Sequence, residues 1–499
     1  MINETVVRQC GLIEHFSTSR HALGFNRGIA NACQYVVVRN KLEGRSVQTV
    51  MEEAVARLVI RLGGLRVGIT GEGTNQACFV QVASMNVQDF ISWKTTATKS
   101  SDEYDELLLH VIKTRLEQLW PDVAHRPPWQ LLVVQNELTA SETIVLDIVF
   151  AVHHALSDGK STAVFHSELL RELNSPPCAV PELKDHVLRF SSPPVLAPSQ
   201  EDLVQPKISW PFFLRVLWSE FGPSWAKPTP PPEPWTGKPI TPEPHRLHLH
   251  AMTIGPNVAK RLIATCRTHG TTLSGILHIL VLASFARHVP EGEASSFSGE
   301  TPISLLPWAK LPHGLDMDLS RVLTDLNTGT KRVWEAATVA NIRSKLDEGD
   351  ENTEEELIWP LAATWRNEIK TKVANLPNDD VVGMMQYITD FNKRWLNKLG
   401  KARDATWELS NIGTIQGRTL DGEELWSIQR SLFTQSLLVA GAAVSLNVAG
   451  VDGGPIGVVF SWQETIVEET IVSGVARDLQ AWLDNFSRVG EFGIFNKTQ

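Results

Sequence analysis

Two hydrophobic periods run along this chain, and the sharpest change between them falls at 151–159. Before it, Thr143–Val152 reads TIVLDIVFAV, a β-branched and apolar run suited to a strand buried on both faces. After it, Val164, Phe165, Leu169, Leu170 and Leu173 recur at helical spacing over 161–173. The junction, AVHHALSDG, places two imidazoles and a carboxylate on a turn between a core strand and a helix, a rigid mounting for reactive groups. The 129–135 segment is expected to pair with Thr143–Val152 as a hairpin.

Upstream, the pattern predicts a strand over 34–38 and a helix opened by Ser46, with Val50, Ala54, Val55, Leu58 and Leu62 on one face. Strand-like pieces follow at 65–69, 78–82 and 90–93, then an acidic-first helix from Ser101. Residues 11–31 precede the first clear strand and are given no element. Proline is dense over 174–245, most of all in KPTPPPEPW at 227–235, which excludes a central strand; one short helix is expected over Trp210–Phe221. Beyond it come a strand from Arg246, helices over 257–269 and 272–288, a strand over 301–306 and an acidic, solvated stretch over 346–357. Helices over 359–372 and 380–399 are followed by strands over 407–410, 426–430, 437–447 and 456–462. VAGVDGGP marks a hairpin between the last two, and 464–486 closes the chain as an amphipathic helix. The organisation expected is an α/β lobe over 1–190, a proline-rich crossover over 191–245 and a second α/β lobe over 246–499.

The 499 residues are 42% hydrophobic, enough material for more than one core. A formal net charge of −10 argues against nucleic acid or an anionic membrane surface as partner. The most apolar stretch, 432–448, is interrupted by Gln435, Ser436, Ser445 and Asn447 and falls short of a membrane span. The first residues lack the apolar core of a signal peptide, and five scattered cysteines without CxxC spacing fit a reducing compartment. A soluble, cytoplasmic monomer is expected.

Strand parity leaves open which of His153 and His154 faces a site, because neighbours in a strand point opposite ways. Two His and Asp158 have the composition of a facial metal triad, but adjacent imidazoles at a strand end diverge. The HxH formed by His248 and His250 lies on an outer strand with no carboxylate nearby, so no metal is expected. GxSxG, GxGxxG and Walker A patterns are absent, which removes support for serine-hydrolase, dinucleotide and kinase chemistry.

The HHxxxDG turn resembles that of the coenzyme-A-dependent acyltransferase superfamily. With EHFSTSRHALGF at 14–25, PISLLPW at 302–308, ELSNIG at 408–413 and the terminal strand–hairpin–helix, the chain is similar to the fungal alcohol O-acetyltransferase family. This resemblance implies an α/β fold of two chloramphenicol-acetyltransferase-like lobes, mixed sheet plus helices, with a tunnel between them. It implies acetyl-CoA as co-substrate, a hydroxyl of an apolar secondary metabolite as acceptor, and His154 as general base. An imidazole suits that step because it titrates near neutral pH. Asp158 and His153 are then structural, and Gly159 allows a tight turn. Ser410 and Asn411 become candidate oxyanion donors, and His21 a candidate for the acceptor side. One departure stands out: the superfamily's usual Arg near the 301–306 strand is Leu306 here. Asp158 is therefore expected to point away from His154, toward backbone donors or a basic side chain outside 301–306. The alternatives are a condensation-type or cyclising enzyme using the same His with a carrier-protein donor, and a non-catalytic binding protein of the same fold.

Overall fold

The computed structural model describes residues 5–137, 142–176, 178, 180–222, 233–349, 353–419 and 425–496. The proline cluster at 227–235 and the acidic stretch at 346–357 lie partly outside these residues. The chain adopts the expected α/β architecture, with two large mixed sheets flanked by helices. One sheet has the strand order Trp426–Gln435, Ile29–Val38, Thr143–Val152, Trp129–Asn136, Ile91–Thr96. The other runs Leu247–Ile254, Ile456–Gln463, Val444–Val451, Trp407–Ile415, Phe297–Ser304, Asn327–Trp334. The predicted 129–135/Thr143–Val152 hairpin forms, paired from Trp129↔Val152 to Gln135↔Leu146.

The first sheet is completed by a strand from late in the chain. Trp426–Gln435 lies antiparallel to Ile29–Val38, from Trp426↔Val37 to Gln435↔Ile29. That strand also brings the sheets together: a Cβ on Gly457 would stand 2.6 Å from the Ser431 carbonyl oxygen, so only glycine permits the approach. Thr143–Val152 is central and almost wholly buried, which explains its unbroken apolar run. Its one charge, Asp147, is met by the Tyr104 hydroxyl at 2.8 Å, the Gln34 amide at 3.2 Å and the Arg430 guanidinium at 3.4 Å. The helix after the HHxxxDG turn, Gly159–Asn174, buries Phe165, Leu169, Leu170 and Leu173 in the same core as helix Val47–Arg61. Ser46 caps the latter by accepting the Thr49 N–H.

Among the elements that escape the periodicity reading are helix Leu12–Ala22, strand Asn327–Trp334 and helix Ala336–Glu348. Helix Leu12–Ala22 buries Glu14, Ser17, Thr18, Ser19 and His21 and, of its apolar residues, fully buries only Ile13, so its apolar stripe is too short to detect. The expected 380–399 helix is a 3-10 turn, Val381–Tyr387, and a short helix, Phe391–Leu396; Asp380 and Asp390 each cap a separate start. The expected 437–447 strand begins only at Val444, and the loop before it turns Leu438 to Gly441 toward a cavity. No single helix among the described residues is long and apolar enough to cross a membrane.

Candidate active site

Strands Phe297–Ser304 and Trp407–Ile415 pair in parallel only at Gly299↔Trp407 and Glu300↔Glu408. Beyond that rung a cavity of about 810 Å³ is lined from both sheets and from helix Leu12–Ala22. Its size falls within the range of small-molecule sites.

His154 stands in the cavity wall with its side chain 16% exposed. Its Nδ1 is buried without a hydrogen bond, 3.5 Å from Asp325 Oδ2. The Asp325 carboxylate is closed off from solvent; Oδ1 accepts from the Asn327 amide at 2.6 Å and Oδ2 from the Ser17 hydroxyl at 3.3 Å. A carboxylate behind Nδ1 favours the tautomer with its proton there, leaving the Nε2 lone pair for the cavity. At 3.5 Å the contact is longer than a hydrogen bond, and apo pairs of this kind tighten when charge develops. Asp325 had no signal in the sequence: LTDLNTG carries no motif spacing, and only the fold brings it behind the turn.

Asp158 points away from His154, to the backbone donors expected in place of the missing Arg. It caps helix Gly159–Asn174, with Oδ1 accepting the Ser161 N–H at 2.8 Å, while Oδ2 accepts the Leu326 N–H at 3.2 Å. The Asp158 N–H donates to the Thr324 carbonyl at 2.9 Å, and the Ser161 hydroxyl to the same oxygen at 2.8 Å. These bonds stitch 324–326 onto the helix start and so hold Asp325 behind His154. Burial, then the charge of Asp325, pushes the Asp158 carboxyl up to about 6 against the pull of its backbone donors. The folded protein thus holds this proton more tightly than the unfolded chain, and Asp158 makes stability fall as pH rises from about 4 to about 6. Asp158→Asn has no such proton, so its stability relative to wild type should improve across that window, by on the order of 3 kcal/mol. Urea denaturation at pH 4.5 and 7 measures the change; a gap independent of pH would contradict it.

Gly159 is demanded by close approach rather than by its backbone angles. A Cβ there would come within 2.7 Å of Ile412 Cγ2 and 2.9 Å of Phe433 Cζ.

His153 faces into the protein. Its Nδ1 accepts the Ala155 N–H at 3.0 Å, so Nε2 carries the proton and donates to Glu72 Oε1 at 3.0 Å. His21 is used the same way: Nε2 accepts the Trp120 N–H at 3.0 Å and Nδ1 donates to Glu72 Oε1 at 2.9 Å. His21 therefore does not line the acceptor side, as the sequence led us to expect. It packs 4.5 Å from the His153 ring, because helix Leu12–Ala22 turns Arg20, not His21, to the cavity. Burial lowers His153 to about 4; burial would raise Glu72, but the two imidazole bonds outweigh it and bring Glu72 to about 2. The spacing of His21, Glu72 and His153 matches a metal donor set. The chemistry does not fit one, since each imidazole spends one nitrogen on a backbone N–H and the other on Glu72. His248 does meet a carboxylate, Glu464 at 3.3 Å, but His250 packs beside Phe460 instead, so the HxH gathers no donor set.

Ser410 and Asn411 both reach the cavity. The Asn411 amide donates to Ser274 Oγ at 3.0 Å and its oxygen accepts the Gly413 N–H at 2.9 Å, which ties it into the local irregularity of its strand. The Ser410 side chain makes no hydrogen bond among the described residues, which leaves its hydroxyl available to the cavity.

Residues 87–298, which include the HHxxxDG turn, match the family model for alcohol acetyltransferases. Over 495 residues the chain is 28% identical to the probable alcohol acetyltransferase FCK4 of Fusarium pseudograminearum, covering 98% of this chain and 97% of the relative. The chain is thus similar to alcohol acetyltransferases along nearly its whole length. A second alcohol acetyltransferase relative, the probable enzyme crmB of Aspergillus fumigatus, is 22% identical over 491 residues, with 95% of this chain and 99% of crmB covered. In fold the chain is similar to TRI3 trichothecene 15-O-acetyltransferase from Fusarium sporotrichioides, with a TM-score of 0.65 at 12% identity over 98% of this chain and 95% of that one. The alcohol acetyltransferase likeness thus runs through both sheets, well beyond the 87–298 segment.

Proposed function

We propose that this protein transfers an acetyl group from acetyl-CoA to a hydroxyl of a secondary metabolite with a largely apolar frame, using His154 as general base. The observation that carries this reading is the setting of His154. It is the second imidazole of the family's motif, stands in the wall of a cavity lined from both sheets, and has a buried carboxylate behind Nδ1. His154 Nε2 takes the acceptor's hydroxyl proton as the oxygen attacks the thioester carbonyl, forming the new C–O bond. Asp325 stabilises the imidazolium, and Ser410 is placed to donate to the oxyanion. The C–S bond then breaks and the departing thiolate takes the proton back from His154, leaving an acetyl ester and CoA thiol. General-base help supplies ~10²–10⁴-fold, and alignment of thioester and hydroxyl supplies much of the rest. Phe25, Ile303, Met385 and Val439 give the cavity the apolar surface such an acceptor needs.

Incubation with acetyl-CoA and extracts of a producing organism is expected to yield a product heavier by one acetyl group, with one CoA thiol released per product. No acyl-enzyme burst should precede it. A stoichiometric acetyl-protein formed during turnover would replace the general-base reading with nucleophilic catalysis.

A further inference from the structure

Several charged side chains of the cavity wall have no task in the acyl-transfer steps, Arg20, Glu300 and Glu408 among them. Glu300 and Glu408 sit side by side on the last common rung of their parallel strands, both against the cavity. Their neighbours Gly299 and Trp407 turn to the opposite face, where a Cβ on Gly299 would strike the Trp407 and Trp334 rings. Glu408 is held as an acceptor. Asn447 spends its amide on the Val459 carbonyl and Ser461 hydroxyl, so its oxygen accepts from Gln435 at 3.2 Å, and the Gln435 amide also donates to Glu408. Glu300 accepts no hydrogen bond among the described residues. Burial, then the charge of Glu408, pushes the Glu300 carboxyl up to about 8. At neutral pH Glu300 therefore keeps its proton, and Glu408, its carboxyl also raised by burial, accepts from Gln435.

On helix Leu12–Ala22, Arg20 lies over the Phe16 ring, 4.4 Å from its centroid, and also lines the cavity. It makes no hydrogen bond or ion pair among the described residues, and its Nε is shut off from water without a partner. Burial lowers Arg20 to about 10, which still leaves it a cation. Arg20 and Glu408 feel each other's charge, as do Arg20 and Asp325, and Glu408 and His154. Yet no bridge closes between guanidinium and carboxylate. Opposite charges face a common space beside the candidate base.

We propose that Arg20 and the Glu300–Glu408 pair recognise a neutral acceptor bearing a second hydroxyl beside the reacting one, a vicinal diol or polyol on an otherwise apolar frame. The inference rests on the acyltransferase reading for the identity of the reacting hydroxyl. A cationic group drawn to the carboxyl pair would meet Arg20, and an anionic group drawn to Arg20 would meet the pair. A hydroxyl donates to Glu408 and accepts from the guanidinium, satisfying both at once. Such a site discriminates strongly against an analogue lacking the hydroxyl, because its own polar groups are then left unpaired.

Binding of 2,3-decalindiol and of 2-decalol to the CoA-loaded protein, followed by ligand-observed NMR titration, tests this without requiring turnover. The diol should bind at least about 10-fold tighter, and Arg20→Gln and Glu408→Gln should each bring the ratio of affinities toward one. A merely structural role for either residue would weaken both probes together and keep the ratio. Equal wild-type affinities, a ratio preserved in both variants, or tighter binding of the cationic 3-amino-2-decalol would overturn the inference. The wild-type comparison stands even if a variant does not fold. A wild type that prefers the diol yet never releases CoA from acetyl-CoA would support this recognition site and sink the transferase reading instead.

Discussion

His154→Ala is expected to lower acetyl transfer by ~10²–10⁴-fold while the protein still folds and still binds acetyl-CoA. The side chain borders the cavity, and its Nδ1 makes no hydrogen bond in the resting state. Its removal leaves Asp325 with its Asn327 and Ser17 donors and opens space that water can fill. His153→Ala should behave differently. It strips a fully buried ring from Glu72 and from the Ala155 N–H, so the loss should appear first in thermal stability. Measuring CoA release beside unfolding temperature for the two variants separates the roles. A folded His154→Ala with full activity would sink the general-base assignment, and catalytic loss confined to a well-folded His153→Ala would exchange the two residues.

Asp325→Asn should cost about 10²–10⁴-fold in kcat with little change in KM for acetyl-CoA. Oδ1 is held by the Asn327 amide, so an Asn at this position keeps its oxygen there and turns its NH₂ toward His154 Nδ1. That donor forces the ring proton onto Nε2, the nitrogen that must accept the substrate proton, and it removes the counter-charge for the imidazolium. Asp325 is thus argued to act through His154, and a double variant tests this. Asp325→Asn combined with His154→Ala should be no slower than His154→Ala alone, because residues that work as a unit are not additive. Multiplying losses in the double variant would show Asp325 acting independently of the imidazole.

The strand, turn and helix around HHxxxDG were legible because their periodicity is set by residues adjacent in the chain. The same holds for the Ser46 cap, the Trp210–Phe221 helix and the terminal hairpin. Helix Leu12–Ala22 was not legible, because its buried face is mostly polar and its apolar contacts stop at Phe16, within the first turn and a half. That one gap hid Ser17 behind Asp325 and Arg20 in the cavity, and left His21 assigned to the wrong side of the turn. Ser410 and Asn411 illustrate a finer limit. Both could be placed at the cavity from the family's SNIG turn, but only the contacts to Ser274 and Gly413 distinguish a committed amide from an available hydroxyl.

By itself the sequence determined the fold class, a family resemblance and the local scaffold of the turn: a buried strand, a capping Asp158, a glycine and a helix, all within interactions of a few residues. It could not determine which imidazole faces the site. Parity chooses a face only when one side of a strand is polar, and Thr143–Val152 is buried on both. Nor could it bring Asp325 to His154, or set Glu300 beside Glu408 across from Arg20. Those neighbours come from segments far apart in the chain, joined by backbone hydrogen bonds at 324–326 and by one short parallel rung between two strands. Such contacts leave no periodic trace in either partner, so only the tertiary structure decided the chemistry of the cavity.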